Sequence, residues 1–170
     1  MALLIDGYNL LFAAGILGPL RGKKGGESSR EALLDFLVEH LPEREVTRTT
    51  IVFDAADAPP GLPRQYSHRG IAVRFAPRNT SADALLEELL VEAADPRRLT
   101  VVSSDHRVQR AARQRGAKFV DSDLWQMELR RNAARGAAAA EESKPDHSLS
   151  PSEVAAWLRE FGVPPPRQGG

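Results

Sequence analysis

The sequence predicts an α/β fold with a mainly parallel central sheet and helices on both faces. Three observations carry that prediction. Short apolar runs (LLI, TTIVF, LTVV and AKFV) alternate along the chain with segments of helical periodicity, and strand–helix alternation favours parallel pairing. Four of these runs lead into an acid, namely Asp6, Asp54, Asp105 and Asp121, and open α/β sheets bind their ligands beyond the carboxyl ends of their strands. The chain has 170 residues, 42% of them hydrophobic, which suits one ordinary core.

Composition excludes several classes. With no cysteine, there is neither a disulfide framework nor a thiolate metal site. The formal net charge is zero, which argues against gripping nucleic acid by bulk charge. No basic-then-apolar leader and no membrane-length apolar run is visible, so a soluble cytoplasmic protein without membrane contact is expected.

The first strand, Leu3 to Ile5, ends in Asp6-Gly7-Tyr8-Asn9. Gly7 is read as permitting a sharp turn, and a short helix follows from about Tyr8 to Ala14. Gly15 to Glu27 reads as a polar, glycine-rich loop carrying Arg21, Lys23 and Lys24. A helix over 28–41 begins at the capping box Ser28-x-x-Glu31, has the apolar face Leu33, Leu34, Leu37, Val38 and Leu41, and stops at Pro42. Thr49 to Phe53 is a second buried strand, with Asp54 and Asp57 after it and an irregular loop from Ala55 to Pro63. Ile71 to Phe75 alternates, as expected nearer a sheet edge.

Asn79, Thr80 and Ser81 introduce a helix over 82–94 with core residues Leu85, Leu86, Leu89 and Leu90, and Asp83 in its first turn. Leu99 to Val102 is a third buried strand, running into Ser103, Ser104 and Asp105. A helix over 107–115 ends at Gly116. Ala117 to Val120 is the last strand, leading through Asp121, Ser122 and Asp123 to a helix from Leu124. Composition changes near Asn132. The expected organisation is a domain over 1–131, an alanine-rich helix extension and linker over 132–149, a short helix over 150–163 and a disordered tail over 164–170. The short helix has the stripe Val154, Trp157, Leu158 and Phe161. It is expected to dock back on the domain, ahead of a protein partner, because a helix so short is not stable alone.

Asp6, Asp83 and Asp105 fall at one edge of such a sheet. Carboxylates crowded there repel, and a bound divalent cation removes the penalty. All-oxygen ligands select a hard ion, Mg²⁺ or Mn²⁺, able to activate water and clamp a phosphodiester for in-line attack. Each acid also has a plainer reading. Asp6 and Asp105 can cap helices, Asp83 can complement a helix dipole, Asp54 and Asp57 can be turn residues, and Asp121 and Asp123 flank a cap position. Asn9, Thr80, Ser81, Ser103 and Ser104 can orient water or phosphate, or satisfy helix starts. No acid occurs from Pro59 to Ala82. Lys23, Lys24, Arg64, Arg69, Arg78 and Arg107 are the candidates for phosphate contact, with Arg110 and Arg113 behind them. No nucleophile elbow, Walker A or dinucleotide fingerprint is present, and His40, His68, His106 and His147 lack metal-ligand spacing.

Four segments, LLIDGYNLL, IVFDA, IAVRFAPRNTSADALLEELL and VVSSDHRVQRAARQRGA, closely resemble the YacP-like NYN-domain family of PIN-like nucleases. EVAAWLREFG resembles a C-terminal helix in that group. The resemblance implies a PIN-like three-layer fold and a metal-dependent endoribonuclease. It maps the family's acids onto Asp6, Asp83 and Asp105, its opening asparagine onto Asn9, and the acid after the second core strand onto Asp54. Asp54, Asp121 and Asp123 compete as fourth acid. Ser104 is assigned with Asn9 to positioning. The resemblance also implies an RNA substrate, with ribosome-bound mRNA a candidate. The rival readings are an RNA-binding module that does not cut, a small-molecule phosphohydrolase and a scaffold whose partner takes up the Trp157 stripe.

Overall fold

The structure, a computed structural model, describes residues 2–16, 23–54 and 63–142. The chain forms β1 (Ala2–Asp6), α1 (Gly7–Ala14), α2 (Lys23–His40), α3 (Glu43–Val46), β2 (Thr49–Phe53), β3 (Gln65–His68) and β4 (Ile71–Phe75). It continues through α4 (Ala82–Glu92), a 3-10 turn (Pro96–Arg98), β5 (Leu99–Val102), α5 (His106–Gln114), β6 (Lys118–Val120) and α6 (Ser122–Glu142). The expected helix over 150–163, including Trp157, the tail over 164–170 and Asp57 lie outside the described residues. So do the side chains of Lys23 and Lys24, although their backbone belongs to α2. Among the described residues no helix is long and apolar enough to cross a membrane.

One six-stranded sheet runs β3-β4-β2-β1-β5-β6. Every pairing is parallel except β3 with β4. Strand periodicity sorts the apolar residues to two faces. Leu3, Ile5, Ile51, Phe53 and Val102 meet Leu10 and Leu11 of α1, Leu33, Leu34 and Leu37 of α2, and Leu129 of α6. Leu4, Val52 and Val101 meet Leu85, Leu86 and Leu90 of α4 and Val108 and Ala112 of α5. The result is the three-layer, mainly parallel architecture expected of a PIN-like domain. Buried side chains of this size contribute roughly 1.5–3 kcal/mol each, so the two apolar layers, more than local propensity, fix the register.

The chain leaves β1 toward β2 and β4 and later returns to β5 on the other side of β1. The crevice where the direction reverses therefore opens at the carboxyl ends of β1 and β5, the usual ligand position in such sheets.

Three expectations need correction. Residues 23–27, read as loop, are helical, and Ser28 lies inside α2. Propagating a helix adds a hydrogen bond per residue without a new nucleation step, which outweighs both the local capping signature and about 1 kcal/mol for each of Gly25 and Gly26. The short elements α3 and β3 went unread: one is four residues long, and the other, QYSH, has almost no apolar content. The chain does turn at Gly7, from β1 straight into α1, but without left-handed backbone. Gly7 opens α1 with ordinary helical backbone, and glycine is required there because a Cβ would lie 2.3 Å from Cε1 of Phe53.

Candidate active site

Asp6 closes β1 and caps α1. It is 2% exposed. Its Oδ1 accepts the backbone N–H of Asn9 at 3.1 Å, and its Oδ2 accepts both the Asn9 amide Nδ2 and, at 3.0 Å, the Ser103 hydroxyl. Ser103 is fully buried, and its Oγ in turn accepts the Asn9 Nδ2 at 3.2 Å and the backbone N–H of Asp105 at 3.1 Å. The Gln109 amide holds the Ser103 carbonyl at 2.8 Å. One network thus ties the exit of β1 to the exit of β5. It leaves Asp6 short of full solvation: burial pushes its pKa up, the bonds from Asn9 and Ser103 pull against that, and the charge of Asp54 adds to the rise.

Asp105 caps α5, its Oδ1 taking the backbone N–H groups of Arg107 at 2.7 Å and Val108 at 3.1 Å. Its Oδ2 makes no hydrogen bond among the described residues. Asp54, just past β2, accepts the backbone N–H of Ala82 at 2.8 Å and so satisfies an orphan donor at the start of α4. Asp83, in the first turn of α4, has no hydrogen bond among the described residues. Its pKa is raised first by burial and then by the charges of Asp105 and Asp6, with Asp54 adding to them and Arg107 opposing. The four acids thus share one electrostatic neighbourhood. The positive ends of α1, α4 and α5 face it and offset part of the repulsion.

The sequence left the fourth acid open among Asp54, Asp121 and Asp123. Asp54 is the one whose charge acts on both Asp6 and Asp83. Asp121 instead caps α6, accepting the backbone N–H of Asp123 at 3.0 Å, and Asp123 is exposed. The positioning serine also changes. Ser104 accepts the backbone N–H of Ser122 at 3.2 Å and anchors α6, whereas Ser103 touches Asp6. Both hydroxyls follow the same strand, and a one-residue shift in the pleat decides which points at the acid.

The donor set, carboxylates with a neighbouring amide and hydroxyl, fits a hard divalent cation in kind. Among the described residues no group of three or more His, Asp or Glu is set to hold a metal ion.

The basic candidates divide. Arg107 is committed to Glu87 through Nε at 2.7 Å and Nη2 at 2.8 Å, which clamps α5 to α4. Arg69 is in the wrong place: with Gly70 it forms the β3–β4 hairpin, at the amino end of β4, and its guanidinium lies 3.5 Å from Asp35. Arg64 is at the carboxyl edge, donating from Nη1 to the Ala76 carbonyl at 2.8 Å. Arg78 is exposed and has no side-chain partner among the described residues. Sequence reasoning missed Arg30. It is 5% exposed on α2, with its guanidinium 5.4 Å from the Phe75 ring centroid and 6.0 Å from that of Phe53. Its position within a helix that also carries a clear leucine stripe gave no signal.

Comparison with known proteins follows the same outline. The pattern that defines the YacP-like NYN domain matches residues 3–159. A crystal structure of a mutant of Rae1 (YacP) from Bacillus subtilis superposes with a TM-score of 0.66 at 24% identity, over 95% of this chain and 97% of that one. A further Rae1 (YacP) crystal structure from the same organism gives a TM-score of 0.58 at 25% identity, over 95% and 94%. No curated protein matches the chain.

Proposed function

The chain belongs to the YacP-like NYN domain family, a nuclease-like family, and on that premise we propose that it is a metal-dependent endoribonuclease. The observation that carries this reading is the gathering of Asp6, Asp54, Asp83 and Asp105 at the carboxyl ends of β1, β2 and β5 and the start of α4, where neighbouring charges help to raise the pKa of Asp6 and of Asp83. Capping accounts for Asp6, Asp54 and Asp105 one at a time but not for Asp83 or for the crowding of all four, and a polyvalent cation is the ordinary reason to keep such a group together. Asp6, Asp83 and Asp105 would hold Mg²⁺ or Mn²⁺, with Asp54 beside them. Such an ion would supply positive charge for the developing charge on the phosphoryl oxygens and would lower the pKa of a bound water.

The protein's own groups do the rest. Asn9 fixes the Asp6 carboxylate at both oxygens and Ser103 adds a second bond to Oδ2, so it would lose little freedom on becoming a ligand. The Arg107–Glu87 clamp ties the second turn of α4 to the first turn of α5, and so holds the helix starts that carry Asp83 and Asp105. Arg78 and Arg64 are the best placed of the described cations for the RNA backbone, and Lys23 and Lys24 remain candidates on α2. RNA is the substrate class, ribosome-bound mRNA is one candidate, and the site of action is the cytoplasm.

The test is cleavage of RNA by wild type and Asp6→Asn, with Mn²⁺ or Mg²⁺ and again with EDTA. Metal-dependent cuts, lost in Asp6→Asn, support the proposal. Equal cutting by both proteins overturns the role of Asp6. RNA binding without cutting, with ribosomes supplied, favours a binding module.

A further inference from the structure

We infer that the outward face of α1, with Phe12 at its centre, is a stacking platform for an unpaired base flanking the scissile phosphate. The inference rests on the nuclease reading above and deepens it. Helix α1 begins at the site, because Asp6 is its cap and Asn9 in its first turn holds Asp6. Its inward face is Gly7, Leu10, Leu11 and Ala14, all buried. Its outward face carries Tyr8 and Phe12, four residues apart, with ring centroids 6.4 Å from each other and planes tilted by 36°. Phe12 is 59% exposed. At 1.5 Å per residue, Phe12 lies about 9 Å along the helix axis from Asp6, within reach of a nucleotide flanking the scissile phosphate.

Charge narrows the choice of contact. Helix α1, GYNLLFAA, has no acid and no base, and the crevice beside it is crowded with carboxylates. A polyanion crossing this wall finds no ion pair on α1 itself; among the described residues Arg130 stands at the far end of the helix, donating to the Ala14 carbonyl at 3.2 Å. Such a polyanion can be held by its bases, whose π-faces stack on aromatic rings regardless of sequence. A duplex keeps its bases stacked inside and cannot use such a surface.

The plainer reading of the pair is helix support, since aromatic side chains at this spacing stabilise short helices. The two readings separate on the bench. A single-stranded oligoribonucleotide containing 2-aminopurine is titrated with wild type, Phe12→Ala, Phe12→Leu and Phe12→Trp in EDTA, reading fluorescence quenching and affinity. Circular dichroism checks the fold. The expected result is about tenfold weaker binding and loss of quenching in both Phe12→Ala and Phe12→Leu, with Phe12→Trp binding like wild type and duplex RNA binding unaffected by any of the three. Phe12→Leu binding and quenching like wild type overturns the inference, because leucine keeps the helix contact and loses the stack. Loss of duplex and single-strand affinity together overturns it as well. A wild-type protein that binds no RNA overturns this inference and the nuclease reading together, whereas unchanged single-strand binding by the variants removes the stacking platform alone.

Discussion

Gly7→Ala tests why the first motif has its glycine. In the wild-type backbone the added Cβ would lie 2.3, 2.5 and 2.8 Å from Cε1, Cδ1 and Cζ of Phe53. Ordinary carbon contacts are about 3.5–4.0 Å, so the ring must retreat by more than about 1 Å. It has nowhere easy to go: Phe53 is 0% exposed, its centroid is 5.9 Å from that of Phe75, and the Arg30 guanidinium lies 6.0 Å away. Overpacking of this kind costs about 1–3 kcal/mol, or roughly 3–10 °C in the unfolding midpoint for a domain of this size. The gain in helix propensity from Gly to Ala, at most about 1 kcal/mol in a helix interior, is smaller at a first position. Activity should fall further than stability, because Gly7 adjoins Asp6, Phe53 adjoins Asp54, and a misplacement of about 1 Å can cost 10²-fold in rate. Urea denaturation of Gly7→Ala, Phe53→Leu and the double variant completes a cycle in which the double is less destabilised than the sum, because the smaller side chain makes room for the methyl. A Gly7→Ala protein as stable as wild type, or strictly additive variants, would refute the close-approach account.

Three further expectations follow from the same geometry. Asp6 and Asp83 have raised pKa values, so folding binds protons there. Each contributes stability while protonated and loses it as pH rises through the raised pKa. In EDTA the unfolding free energy of wild type should therefore fall, relative to Asp83→Asn, as pH rises from the ordinary carboxylate range through the raised pKa; the opposite sign in denaturant titrations would contradict the burial and repulsion assigned to Asp83. Ser103→Ala removes a bond that lowers the Asp6 pKa and strands the Asp105 N–H, costing about 1–3 kcal/mol and moving the acidic limb of the pH–rate profile upward; an unmoved limb sinks the network. Arg69 sits at φ 48° beside Gly70 at φ 101°, in a two-residue hairpin turn that favours Asn-Gly. Arg69→Asn should add about 0.5–1 kcal/mol by thermal unfolding and leave RNA affinity unchanged, whereas a drop in affinity would restore Arg69 as a nucleic-acid contact.

Much of the fold was legible because its signals are long or repeated. The strands at the centre of the sheet are near-continuous apolar runs, and burial on both faces requires that pattern. Asp6, Asp54 and Asp105 were visible because a charged residue at the end of such a run has no packing reason to be there. The failures have local causes. β3 is an exposed antiparallel edge whose ladder bonds, not its side chains, define it. The start of α2 was hidden because a capping signature does not reveal whether an upstream helix already exists. Ser103 and Ser104 differ only in which way the chain faces after β5. Arg69 and Arg107 looked alike in sequence, yet one lies at the far edge of the sheet and the other is held by Glu87, a pairing made across two helices. Arg30 shows the limit most clearly: an arginine on a helix reads as solvated until two aromatic rings from different strands are seen beneath it.

The central claim is that the strand-end acids form a cation site in which Asp83 and Asp105 complete what Asp6 begins. Calorimetric titration of Mn²⁺ into metal-free protein addresses it most directly, comparing wild type with Asp83→Asn, Asp105→Asn and Asp121→Asn. The account predicts saturable binding by wild type, at least about tenfold weaker binding in Asp83→Asn and Asp105→Asn, and no change in Asp121→Asn, whose carboxylate only caps α6. Wild-type binding that survives in Asp83→Asn, or that is lost in Asp121→Asn, would contradict it.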